Sequence, residues 1–117
     1  MRNDLIYICS PYSGNTEANT LRAREYCRAA MEEGFLPVAP HLYFPQFLDD
    51  GLPEERETGL RICERLLCRC REVWVFGGRI STGMKREMAC AEANGIPVRY
   101  FNDVSSVHPR LDGCRAI

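Results

Sequence analysis

Three short segments of this chain carry side chains able to do chemistry. Ser10-Pro11-Tyr12-Ser13-Gly14 is a polar loop, His41 stands alone between Pro40 and Leu42, and Ser81-Thr82-Gly83-Met84 is followed by Glu87. Backbone N–H groups that open a helix attract a phosphate or carboxylate, so the amides from Ser81 to Met84 form a candidate anion cradle. A glutamate about one turn further on is placed to act as nucleophile or base. Each feature also has a plainer reading. Ser81 is first of all a helix cap, Glu87 next to Lys85 and Arg86 reads as a solvated helix residue, and His41 suits bracing its own loop as well as touching a ligand.

Several other chemistries find no support. No stretch matches a P-loop, the GxGxxG dinucleotide fingerprint, a GxSxG elbow or a metal-binding carboxylate cluster. A net charge of -1, with 15 basic and 16 acidic residues interspersed, gives no electrostatic case for a nucleic-acid polymer or an anionic membrane as partner. No apolar run approaches the roughly 20 residues that span a bilayer, and the expected location is the cytoplasm. Seven cysteines, an odd number without a secretory pattern, read as free thiols. Cys63, Cys68 and Cys70 contain no CxxC pair, and His41 and His108 lie far off in sequence, so the expectation is no metal and no other cofactor. Cys27, Cys63, Cys70 and Cys90 are expected as small buried hydrophobes.

The elements that must position these groups follow from hydrophobic pattern and punctuation. Residues 72–99 read as strand, glycine turn, helix, turn and second strand. Val73 to Phe76 is an unbroken apolar run suited to a parallel strand covered on both faces; Gly77 and Gly78 end it. A helix is expected over about 83–94, stopped by Gly95 and Pro97, before a strand over 98–101. Earlier in the chain, residues 5–9 form a first strand, and Asn15 caps a helix running to about residue 33 with Ala23, Cys27, Ala30 and Met31 as its apolar stripe. Residues 35–38 form the second strand. Residues 39–48, rich in proline and aromatics, suggest a lid or subunit contact. Pro53 starts a helix expected over about 54–71, with Leu60, Cys63, Leu66, Leu67 and Cys70 facing the core and Glu64 flanking them.

The expected architecture is a three-layer, flavodoxin/Rossmann-like α/β domain over residues 1–101 with a parallel sheet of about four to five strands, followed by a tail over 102–117 that is loosely packed or reaches a neighbouring subunit. The Ser10 loop, His41 and the Ser81–Glu87 segment then share the carboxyl edge of the sheet, where open α/β folds bind ligands. At 117 residues the sheet is small, and a homodimer or higher homo-oligomer is expected.

With these residues placed, the chain resembles a known family. Ser81-x-Gly83-x-x-x-Glu87-x-x-x-Ala91-x-x-x-Gly95, preceded by the strand over 72–76, is similar to the nucleoside 2-deoxyribosyltransferase superfamily, which includes the 2'-deoxynucleoside 5'-phosphate N-hydrolases. Tyr7, the Ser10 to Gly14 loop, His41 and Glu64 also fall where that family places site groups, so the resemblance covers about residues 5–101. It implies a nucleoside or nucleotide as the small-molecule partner and cleavage or transfer at an N-glycosidic bond. The residue matching the family nucleophile is Glu87, which would form a covalent glycosyl ester. Tyr7 would orient Glu87, and Glu64, where the family usually has aspartate, would hold or protonate the leaving base. Ser81 and the amides of Gly83 and Met84 would take the 5' end with Ser10 and Tyr12. The hydrolases typically carry an arginine in the first loop, where this chain has Tyr12 and Ser13. A non-catalytic nucleotide-binding module using the same crevice is the alternative. The phosphoribohydrolase motif PGGxGTxxE fits less well, because Gly78 and Glu87 are too far apart.

Overall fold

A computed structural model describes residues 4–107. Among these residues, four parallel strands, β1 (Leu5–Cys9), β2 (Leu36–Val38), β3 (Glu72–Phe76) and β4 (Val98–Phe101), lie in the order β2-β1-β3-β4. Tyr7 stands at the centre of this register, opposite Val38 on one side and Val73 on the other. Because β1 runs to β2 on one side and the chain then returns to β3 on the other, the strand order reverses between β1 and β3, which opens a crevice at their carboxyl ends.

Strand alternation sends the two faces of the sheet to different partners. Ile6, Ile8, Trp74 and Phe76 face α1 (Thr16–Glu32), whose Tyr26, Ala29 and Ala30 close that core. Tyr7, Cys9, Val73 and Val75 face α2 (Pro53–Leu67) and α3 (Thr82–Ala93) through Cys63, Leu67, Met84 and Ala91. The result is the expected three-layer α/β fold. The buried stripe of α1 is rotated from the sequence expectation. Tyr26 is at its centre, stacked on Phe76 at 4.1 Å between ring centroids, a geometry that adds about 1 kcal/mol beyond simple burial. Cys27 is only half-buried.

Two boundaries also differ. Helix α2 ends at Leu67, four residues short of the expected end, because the chain must turn for the Arg71 N–H to reach the Leu5 carbonyl at 2.8 Å and enter the sheet. The expected tail does not start loose. Residues 104–106 form a 3-10 turn, and Val107 is buried against the α1 side of the sheet. The rest of that expected tail, 108–117 with His108, lies outside the described residues. Cys9, Cys63 and Cys70 are buried, Cys90 is half-buried, Cys68 is exposed, and all are free thiols.

Gly77 ends β3 with φ of +93°, a conformation that side-chain-bearing residues rarely adopt, and a Cβ there would lie 3.6 Å from Pro11. The loops after β1 and β3 therefore approach closely. No helix among the described residues is long and apolar enough to cross a membrane.

Candidate active site

Helix α3 opens on Ser81, whose hydroxyl accepts from the Met84 N–H at 3.2 Å while the Met84 sulfur accepts from the Ser81 N–H at 3.4 Å. That reciprocal cap fixes the start of the helix and hence its phase. Met84, Glu87 and Ala91 then fall at i, i+3 and i+7 on the buried face. Glu87 is 3% exposed. Instead of sitting in solvent with Lys85 and Arg86, it is carried on the apolar stripe into the switch-point crevice.

There it has two hydrogen-bond donors from β1. The Tyr7 hydroxyl donates to Oε2, and the Cys9 thiol donates to Oε1 at 3.6 Å. Both come from one strand face, two residues apart, so a single strand supplies both arms of the clamp. Burial raises the Glu87 carboxyl to about 7, with the hydrogen bonds from Tyr7 and Cys9 pulling the other way and the Glu64 charge adding a small rise. Burial and the Glu87 charge keep the Tyr7 phenol protonated, well above its ordinary value. A carboxyl poised near neutrality against a neutral donor suits either a nucleophile or a base.

Glu87 lies at the floor of a cleft of about 430 Å³, within the range of small-molecule sites. Ser10, Tyr12, His41, Ser81, Gly83 and Met84 all line it, so the fold brings these sequence candidates to one place. Tyr7 stands behind Glu87, fully buried. His41 comes from a 3-10 turn (Pro40–Leu42) after β2 and stacks on Tyr12 at 4.8 Å with the rings 13° apart. Its burial lowers its pKa, so the imidazole is neutral at neutral pH. The N–H groups of Thr82 and Gly83, in the first turn of α3, have no acceptor within the helix.

Glu64 is the exception. Its carboxylate takes two bonds of 3.0 Å from Arg86, which also holds Glu57 at 3.0 and 3.1 Å. This clamp ties α2 to α3 outside the cleft, and its hydrogen bonds from Arg86 lower the pKa of both carboxyls. Glu64, expected to hold or protonate a leaving base, is therefore paired with Arg86 and is not among the residues that line the cleft. One residue is about 100° of helix rotation, and the side chain that α2 turns toward Glu87 is Cys63, 3% exposed. Its thiol, raised to about 11 by burial, interacts with the Tyr7 hydroxyl. The core-facing stripe of α2 is the sequence signal that marks Cys63 as buried, and it carries no sign of a place beside Glu87.

The fold also cancels a separation on which the sequence argument against metal rested. His41, Cys63 and Glu87 offer ligand atoms all within 4.8 Å of one another. Arg79, missed from sequence, lines the cleft opposite Ser13 and donates to its carbonyl at 3.2 Å. It brings a guanidinium to the first loop from the β3–α3 side.

The model of a domain of unknown function, DUF7768, matches residues 4–101. The solved 2-deoxyribosyltransferase of the psychrotolerant bacterium Bacillus psychrosaccharolyticus aligns over 90% of each chain with a TM-score of 0.71 and 16% sequence identity, a likeness of fold. No curated protein matches the chain.

Proposed function

Since the chain belongs to the DUF7768 family, on a fold shared with a 2-deoxyribosyltransferase, we propose that it cleaves or transfers at the N-glycosidic bond of a deoxynucleoside or its 5'-monophosphate. The observation that carries this reading is the buried Glu87 carboxylate, held by Tyr7 at the floor of an open cleft. Glu87 attacks C1' of the sugar, the C1'–N bond breaks, and the base departs and takes up a proton from solvent water in the open cleft. The glycosyl ester on Glu87 is then opened by water or by an acceptor base. Tyr7 aims the carboxylate and keeps one of its oxygens hydrogen-bonded throughout.

The remaining groups position the substrate. Ser10, the α3 amides at Thr82 and Gly83, and Arg79 form the polar end suited to a 5'-hydroxyl or phosphate. The Tyr12–His41 stack gives a flat wall for a sugar or base. A homo-oligomer belongs to the same reading, with the exposed rings of Tyr43 and Phe47, packed on each other at 5.1 Å, as its contact.

One observation favours a second reading, a non-catalytic nucleotide-binding module. The acidic side chain matched to the leaving-base position is bound up with Arg86 away from the cleft. Chromatographic assay of base release separates the two. Nucleosides and 5'-monophosphates, with and without an acceptor base, are the panel for wild type and Glu87→Ala. A real wild-type rate that falls about a thousandfold or more in the variant supports the nucleophile. Nucleotide binding with no turnover in either protein favours the binding module.

A further inference from the structure

We propose that His41, Cys63 and Glu87 form a zinc site at the floor of the cleft, and that zinc bound there blocks the Glu87 carboxylate. The ligands come from three elements, the turn after β2, α2 and α3, and supply one nitrogen, one sulfur and one oxygen within 4.8 Å of one another. Zinc bonds of about 2.0–2.3 Å place tetrahedral ligands roughly 3.3–3.7 Å apart, so the widest pair has to close by about 1 Å.

Surrounding contacts suit the arrangement. Stacking on Tyr12 holds the imidazole plane. The Tyr7 hydroxyl occupies Oε2 of Glu87, which leaves Oε1, with only the long contact to the Cys9 thiol, to turn toward the ion. Tyr7 then plays the part that outer hydrogen-bond partners play in metal sites. Imidazole, thiolate and carboxylate are the donors that borderline-soft zinc prefers, whereas magnesium and calcium seek all-oxygen cages. Two anionic ligands and one neutral one match the charge of the ion. His41 and Glu87 both line the cleft, so a fourth position faces the open side, the pattern of zinc sites that retain an exchangeable ligand. Zinc on Glu87 removes its lone pairs from any attack on a sugar.

The binding half of this inference needs only the ligand set, and the inhibition half rests on the proposed glycosidic chemistry. Cobalt titration of the metal-free full chain, with zinc displacement to give affinity, tests the first. One cobalt per chain with a tetrahedral spectrum and a thiolate-to-cobalt charge-transfer band is expected, and magnesium should not displace it. Cys63→Ser should abolish that band, and His41→Ala and Glu87→Gln should each weaken zinc by about tenfold or more. A Cys68→Ser/Cys90→Ser double variant, which removes more exposed thiols just past the end of α2 and on α3, should change neither. Circular dichroism checks each fold, with Cys63→Ala as the substitute if the serine variant unfolds. Failure to bind zinc, or a band that survives Cys63→Ser and vanishes in the double variant, overturns the site. Base release slowed with an inhibition constant equal to the zinc dissociation constant supports blockage, and full-rate turnover by the zinc-loaded protein overturns it.

Discussion

The Tyr7 hydroxyl of β1 donates to the Glu87 carboxylate of α3, joining two residues 80 positions apart in the chain. The bond stabilises the charged form of a carboxyl that burial drives toward neutrality. Removing the donor therefore has a signed consequence. Tyr7→Phe should lower kcat by about 10- to 100-fold, the worth of a hydrogen bond to a charged group. It should also move the acidic limb of the pH–rate profile to higher pH, because the carboxylate loses a partner. An unshifted limb would limit Tyr7 to packing.

Burial of Glu87 also makes stability depend on pH. Its folded value of about 7 lies above the ordinary carboxylate range, so the native state binds the proton more tightly than the unfolded chain. Stability from this group is complete below the unfolded pKa, declines as pH rises toward 7, and levels off above. The total is about 3 kcal/mol. Glu87→Gln removes the charge, so in thermal melts of metal-free protein it should exceed wild type at pH 8 and converge with it near pH 5. A gap of constant size across that range would contradict the assignment.

Cys63 and Glu64 are adjacent but face different surroundings. With its carboxylate held by Arg86 at 3.0 Å, Glu64 does not line the cleft. Glu64→Gln should leave the rate of base release within about threefold of wild type, since a surface ion pair at its distance adds little at the reacting atoms. A loss of a hundredfold or more in steady-state kinetics would return Glu64 to the catalytic set.

Arg79 supplies the first loop with the cation that its own sequence lacks. Arg79→Ala should raise KM for a 5'-monophosphate by about tenfold, the scale of one charge-assisted contact. KM for the free nucleoside should change little. Equal effects on both substrates would mean that Arg79 only braces the Ser13 loop.

Much of the scaffold is written locally. The strands Leu5–Cys9 and Glu72–Phe76 coincide with apolar runs, and Asn15 and Ser81 cap the helices that follow the polar segments. These features depend on neighbours a few residues away, which is why composition and spacing reveal them. The edge shared by Ser10, His41 and Ser81 follows from the same alternation of strands and helices.

What needed the tertiary structure was the environment of each chemical group. Glu87 looks like a surface residue beside Lys85 and Arg86, yet the phase of α3 carries it onto the Met84–Ala91 stripe, where burial raises its pKa and the β1 donors oppose that rise. The same helix geometry turns Cys63 inward and Glu64 to Arg86, a choice of about 100° that depends on how α2 packs against α3. His41 meets Cys63 and Glu87 only because three separate connections end at one crevice. Amino-acid order determined the elements and their sequence. Packing between distant elements decided which side chains are dry, paired and close enough to react, because burial and electrostatics are properties of the assembled core.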